Sequence, residues 1–159
     1  MPSRGRKAAG LVHVGVALVL VSLTLAEAFS RSGRVVLGEG ESADTVGLTV
    51  RHHDRQTAVK KNYLADVARV EVSRQGAPSV FLSPELRLYR DGQELIPELA
   101  VHSGFAEDVL VALTATSQER VALVVRRRPG VLWIWVGGAL MVLAGACLAW
   151  TRRPPVTED

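Results

Sequence analysis

One histidine lies where a histidine is costly. The stretch from Ala8 to Ala26 is apolar except for His13, Ser22 and Thr24. An ionisable side chain inside an apolar helix faces a partner, a cavity or a cofactor. Neutral imidazole is also a good axial ligand for haem iron. The plainer readings of His13 are a ring that reaches headgroups near the interface, or one discarded with a leader peptide. The other chemically capable residues are weaker candidates. His52 and His53 adjoin Asp54, but neighbours on a strand point to opposite faces, and a metal site needs ligands that converge. A polar loop tip explains them better. His102 precedes Ser103 and Gly104, yet no G-x-S-x-G elbow accompanies them, and adjacency in sequence is not triad geometry. No HExxH, no Gly-rich phosphate loop and no paired carboxylates are visible. The single cysteine, Cys147, excludes an internal disulfide, a thiol redox pair or a CxxCH haem attachment site. Catalysis by this chain alone is not expected.

The elements that carry these residues begin with two apolar runs. Val131 to Trp150 (VLWIWVGGALMVLAGACLAW) is uncharged and, at ~1.5 Å per residue, spans the ~30 Å hydrocarbon core of a bilayer. Trp133, Trp135 and Trp150 sit near its ends, where amphipathic rings prefer the headgroup level. Arg152 and Arg153 follow as a stop-transfer flank would. Gly137, Gly138, Ala139, Gly145 and Ala146 permit close packing against other helices. The first run, Ala8 to Ala28, follows a basic tail with Arg4, Arg6 and Lys7. Two readings stand open for it. Ala26-Glu27-Ala28 supplies the exit of a cleaved signal peptide, while the length also suffices for a retained transmembrane helix. Either places residues 1–7 and 151–159 in the cytoplasm, in line with the positive-inside rule. Arg126 to Arg128 dissent, but a domain of this size translocates largely regardless of charge.

Between the runs, residues 30–128 alternate with period two in short segments broken by turn residues. Arg34–Leu37, Thr45–Arg51, Ala65–Ser73, Ser79–Leu82, Glu85–Arg90, Val109–Ala115 and Arg120–Arg127 read as strands, with turns at Gln75-Gly76-Ala77-Pro78 and Asp91-Gly92. Six to eight strands in about 100 residues predict a small β-barrel or sandwich. The expected fold is therefore a membrane protein: helices at 8–28 and 131–150 flanking an extracytoplasmic all-β domain at 30–128. The net charge is only +3 and the arginines are scattered, which sets nucleic acid aside as a partner.

The order of motifs is familiar. GLVHVGVALVLVSLTLAEAF is followed by VVLGEGES, TVGLTVRHHD, NYLADVARVEVSRQG, FLSPELRLYRDGQELIPELAVHSGFAEDVLVALTA and PGVLWIWVGGALMVLAG. From about Leu11 to Trp150 the chain resembles the C-terminal portion of CcmF, the haem lyase subunit of cytochrome c maturation. The most specific pieces are Ser83-Pro84-Glu85 with Tyr89, the stretch Ile96 to Leu113, and Trp133-Ile134-Trp135-Val136-Gly137-Gly138. In that family a helix with a His-x-Gly motif precedes an extracytoplasmic β-domain, and a helix opening Trp-Ile-Trp closes the chain. Histidines from two helices are thought to hold a membrane haem b. His13-Val14-Gly15 matches the motif, so the resemblance implies His13 as an axial ligand of the haem b iron.

The family's tryptophan-rich segment, its flanking haem-binding histidines and its other helices have no counterpart here. The resemblance thus implies a subunit that completes a haem lyase with a larger polytopic partner in a bacterial inner membrane. Apocytochrome c and a haem chaperone are the further partners it implies. It also favours retention of the first helix. The competing expectation is a β-domain scaffold or interaction module without haem. A secreted β-domain with a cleaved leader and one anchor is a third.

Overall fold

The computed structural model describes residues 4–89 and 94–151. They form two compact units: the β-domain Ser30–Arg128, and a helical unit made of the segments before and after it.

The helical unit contains α1 (Arg4–Ala28) and α2 (Val131–Thr151). The segments Arg6–Ala28 and Val131–Trp150 are long and apolar enough to cross a membrane. α1 is rich in Val, which in water would favour strand. A run long and apolar enough to cross a membrane would have to bond every amide within its own segment in hydrocarbon, and a helix does so. α1 closes with the Phe29 amide donating to the Leu25 carbonyl (3.0 Å). α2 opens after Gly130, whose φ of 78° is in the left-handed region and whose carbonyl accepts the Trp133 amide (3.1 Å).

The two helices run antiparallel. Gly130 approaches Ser22 and Leu25, while Ala8 and Leu11 lie beside Ala144 and Leu148. The seam repeats every seven residues on both sides: Ala8, Gly15 and Ser22 on α1, and Gly130, just before α2, with Gly137 and Ala144 on α2, all buried. Small residues at this period let backbones approach closely. The tightest point is Gly15 against Gly137. A methyl group on either would lie 2.7 Å from the other's carbonyl oxygen. Gly138 and Gly145 meet nothing within 4 Å, so their faces are open.

The β-domain has ten strands: β1 (Arg31–Gly38), β2 (Ser42–Thr45), β3 (Leu48–Val59), β4 (Tyr63–Ser73), β5 (Val80–Leu82), β6 (Glu85–Tyr89), β7 (Leu95–Glu98), β8 (Ala100–Ser103), β9 (Glu107–Thr116) and β10 (Arg120–Pro129). One sheet has the order β1-β10-β9-β8. The other has the order β2-β3-β4-β6-β7, with β5 also on β4. β5 and β6 share one flank of β4, and between them the Ala68 amide donates to the carbonyl of buried Pro84 (3.1 Å).

Two separate sheets make this a sandwich rather than a barrel. Val35, Leu37, Val111, Leu113, Leu123 and Val125 from one sheet pack against Leu48, Val50, Ala68, Val70, Leu82 and Leu86 from the other. Most of these side chains alternate with more exposed ones along their strands, the pattern of strands buried on one face.

Two sequence expectations change. Thr45–Arg51 is not one strand but a hairpin: Val46 and Gly47, with φ of 47° and 74°, form a two-residue turn between β2 and β3. A β-branched residue rarely takes this conformation, so the dipeptide gave no turn signal. β7 and β8 lie in the stretch from Leu95 to Ser103, which sequence reading left without strands. They are only four residues each, too short to show a period. The expected Asp91-Gly92 turn and Arg90 lie outside the described residues.

Candidate functional site

His13 sits on α1 with its side chain exposed. Its Nδ1 lies 2.7 Å from the Ala9 carbonyl. A carbonyl only accepts, so Nδ1 donates, and Nε2 makes no hydrogen bond among the described residues. A donated bond of this kind is the second contact a ligating histidine makes in metal sites, where it fixes the tautomer. Successive residues on a helix turn by about 100°, so His13 points some 200° away from Gly15. Gly15 faces α2; His13 therefore faces away from it. The helix's hydroxyls are spent locally: Ser22 donates to the Leu18 carbonyl (2.6 Å) and Thr24 to that of Leu20 (2.9 Å).

The remaining sequence candidates do not assemble. β3 carries a bulge between His52 and Asp54, so His53 is the unpaired extra residue. His52 is buried at 3% exposure and its Nε2 donates to the Asp54 carbonyl (3.0 Å), while Nδ1 has no partner among the described residues. His53 instead turns to the outer face, 2.9 Å from Glu71 and 5.3 Å from the Phe81 ring centroid. The guanidinium of Arg69 covers Phe81 at 4.9 Å. The Ser79 hydroxyl, then His53, hold the Glu71 carboxyl below its ordinary range. These contacts are structural: the two rings diverge as alternation requires. His102 lies on the edge strand β8, opposite Val109. Among the described residues, no group of three or more His, Cys, Asp or Glu side chains could hold a metal ion. Cys147 is a free thiol on an open apolar cleft of about 550 Å³, shared with Leu11, Ala144 and Trp150.

Sequence reading missed a polar clasp between the two sheets. Glu107 of β9 accepts from Arg127 Nε (2.9 Å) and Nη2 (2.6 Å), and also pairs with Arg74, just past the end of β4. Arg127 Nη1 donates in turn to the Val46 carbonyl (2.6 Å), tying β10 to the strained turn. A second tie runs from Asp66 on β4 to the hydroxyls of Thr57 and Thr116, 2.8 Å each. In the sequence Arg127 is only one of three consecutive arginines. Alternation from Leu123 and Val125 puts it on the inward face, but nothing local names Glu107 and Val46 as its partners.

A two-sheet sandwich carried between two helices, each long enough to cross a membrane, is the architecture of a membrane-anchored β-domain protein. Comparison with known families places it further. The family model described as "CcmF C-terminal beta-sandwich" matches residues 28–129, and the chain belongs to this family. It is 32% identical over 149 residues to the cytochrome c-type biogenesis protein CcmF of Pseudomonas aeruginosa, covering 90% of this chain and 22% of that protein. Against CcmF of Escherichia coli it is 31% identical over 151 residues, covering 90% and 23%. The probable cytochrome c-type biogenesis protein NrfE of Escherichia coli is 27% identical over 143 residues, covering 89% and 26%. The solved structure of a cytochrome c haem lyase CcmF has the same fold, with a TM-score of 0.76 at 20% identity over 92% of this chain and 25% of that one. The chain therefore spans less than a quarter of the length of the CcmF relatives it matches.

Proposed function

We propose that this chain is a subunit of the cytochrome c maturation machinery, completing a CcmF-type haem lyase with a larger polytopic partner. His13 serves as one axial ligand of a haem b shared with that partner. The observation that carries this reading is the His13 ring itself: Nδ1 donating to the Ala9 carbonyl, Nε2 without a partner among the described residues, and the side chain turned away from the chain's other helix. The donor chemistry fits haem, since a neutral imidazole with its second nitrogen hydrogen-bonded is a strong axial ligand. His52, His53 and His102 all belong to the β-domain, so among the described residues α2 offers no second histidine. The partner supplies the other ligand. When bound, the haem iron contributes one-electron chemistry to the assembly; this chain orients it.

In this reading α1 is retained, both helices span a bacterial inner membrane, and the β-domain lies outside the cytoplasm. The basic ends, with Arg4, Arg6 and Lys7 and with Arg152 and Arg153, support that orientation. The β-domain is held by its own core and clasp, and it presents surface to apocytochrome c or a haem chaperone. The experiment is genetic and biochemical together. Deleting the gene should lower covalently attached haem in c-type cytochromes, wild-type protein should restore it, and His13→Ala should not. The purified protein should bring down a polytopic membrane protein. Normal cytochrome c levels after deletion would instead support the scaffold reading.

A further inference from the structure

The core of the β-domain is sealed at its centre and open at one flank. Val50, Val70 and Val111 are fully buried, while the inward residues two positions away, Leu48, Val72 and Val109, keep 5%, 6% and 8% exposure. These three, with Val80 and Leu82 of β5, floor a cleft of about 200 Å³ between the two sheets. An aliphatic cavity of roughly 150 Å³ holds a benzene, so the cleft has room for one large apolar side chain. Its rim carries His102, Arg74 and Glu107. His102 is exposed, faces inward like Val109 opposite it, and has no hydrogen bond or ion pair among the described residues. Arg74 is exposed too and shares the Glu107 carboxylate with Arg127. Two guanidiniums on one carboxylate leave the rim cationic.

β8 is one wall of this cleft and the last strand of its sheet. Among the described residues nothing pairs with its outer side. An edge strand presents unpaired N–H and C=O groups, and folded proteins blunt such edges with charged residues or proline. At the other three sheet ends, β1 carries Arg31 and Arg34, β2 carries Asp44, and β7 carries Pro97 and Glu98. β8, with the sequence AVHS, has no proline and no Asp, Glu, Lys or Arg. A strand added beside it would run ~4.8 Å away and turn alternate side chains, ~6.7 Å apart, over the cleft.

We propose that β8 and the cleft beside it form a docking site for an extended segment of another polypeptide. The segment adds to the free edge of β8 and seats one large apolar side chain in the cleft. Two positions along, on the same face, it carries a carboxylate that meets Arg74 and His102. Main-chain bonds supply affinity in this mode of recognition, and the side-chain pocket supplies selectivity. Such a site gives a location and a binding chemistry to the surface that the β-domain is proposed to present to apocytochrome c or a haem chaperone. It rests on that reading but uses neither haem nor His13.

The test uses the full chain in phosphatidylcholine nanodiscs and a fluorescein-labelled peptide of alternating threonine and valine, with phenylalanine at its centre and aspartate two positions on. Fluorescence anisotropy should show saturable binding that weakens with salt. Alanine in place of the phenylalanine should weaken it about tenfold or more. Two peptides methylated on alternate backbone nitrogens should differ, because one set faces β8 and the other faces solvent; the first should bind about tenfold more weakly. Ala106 is exposed on the rim, so Ala106→Phe fills the mouth and should weaken binding with the urea midpoint unchanged. R34Q, on the far edge of the same sheet, should bind as the wild type does. No saturable binding, equal binding of the two methylated peptides, or undiminished binding by folded Ala106→Phe would each overturn the site. A dimer of the chain that excludes the peptide would assign the edge to a second copy and overturn it as well. Normal cytochrome c levels after gene deletion, with peptide binding intact, would instead contradict the haem lyase reading and leave the site standing.

Discussion

Gly15 and Gly137 are reciprocal: a Cβ on either would sit 2.7 Å from the other's carbonyl oxygen. The glycine of the His-x-Gly motif is thus the contact point of the helix pair, and that contact turns His13 outward. Gly15→Ala or Gly137→Ala forces backbone apart, at a cost of about 1–3 kcal/mol typical of overpacking. Thermal unfolding in detergent should show a lowered midpoint for both. Gly138→Ala and Gly145→Ala meet open space and should leave it within error.

Arg127 joins two groups that a single side chain must span, the Glu107 carboxylate and the Val46 carbonyl. Arg127→Met should destabilise the β-domain by about 2 kcal/mol, the scale of hydrogen bonds to charged groups. Arg127→Lys should recover little, because one ammonium lacks the fork that reaches both. Urea unfolding of the full chain reads this directly.

Gly47 has a φ of 74°, and a Cβ there would lie 3.0 Å from Arg127 Nη1. Gly47→Ala should therefore cost about 1–2 kcal/mol, through left-handed strain that glycine escapes, and should weaken the same clasp. A double variant with Arg127→Met should lose less than the sum of the two. Strict additivity would show that the turn and the clasp are independent.

Glu41 and Glu71 both have carboxyls held below the ordinary value of 4.5. The Gly38 amide and then Arg120 do this for Glu41, and the Ser79 hydroxyl and then His53 for Glu71. A depressed folded pKa stabilises the fold above the unfolded value, and that contribution is lost as pH falls through the folded one. Stability should decline as pH drops below about 4.5, and Glu71→Gln should flatten this acid limb. A urea midpoint that does not move across that range in the wild type would contradict the assignment.

The helices were legible in sequence because a charge-free run of bilayer length has few other solutions. β4 was legible from strict alternation of Val70 and Val72 against Arg69 and Glu71, and β9 and β10 from their valine and leucine periodicity. The hairpin at Val46 was hidden because tertiary ties, not local preference, hold a valine in a left-handed turn. The seam was half visible: Gly137 was marked as a packing residue, yet Gly138 and Gly145 looked equivalent and are not. His13 stood out as a costly residue. Its tautomer and outward direction depend on the Ala9 carbonyl and on Gly15, which become neighbours only once the helix is formed and paired.

If His13 ligates a haem shared with a partner, the absorption spectrum of the reduced complex must depend on that one side chain. The protein is purified in mild detergent with whatever co-elutes, then reduced. A b-type α-band present in the wild type and absent in His13→Ala, with the polytopic partner still bound, is the predicted result. A partner-containing complex without haem, or an α-band that survives His13→Ala unchanged, would contradict it.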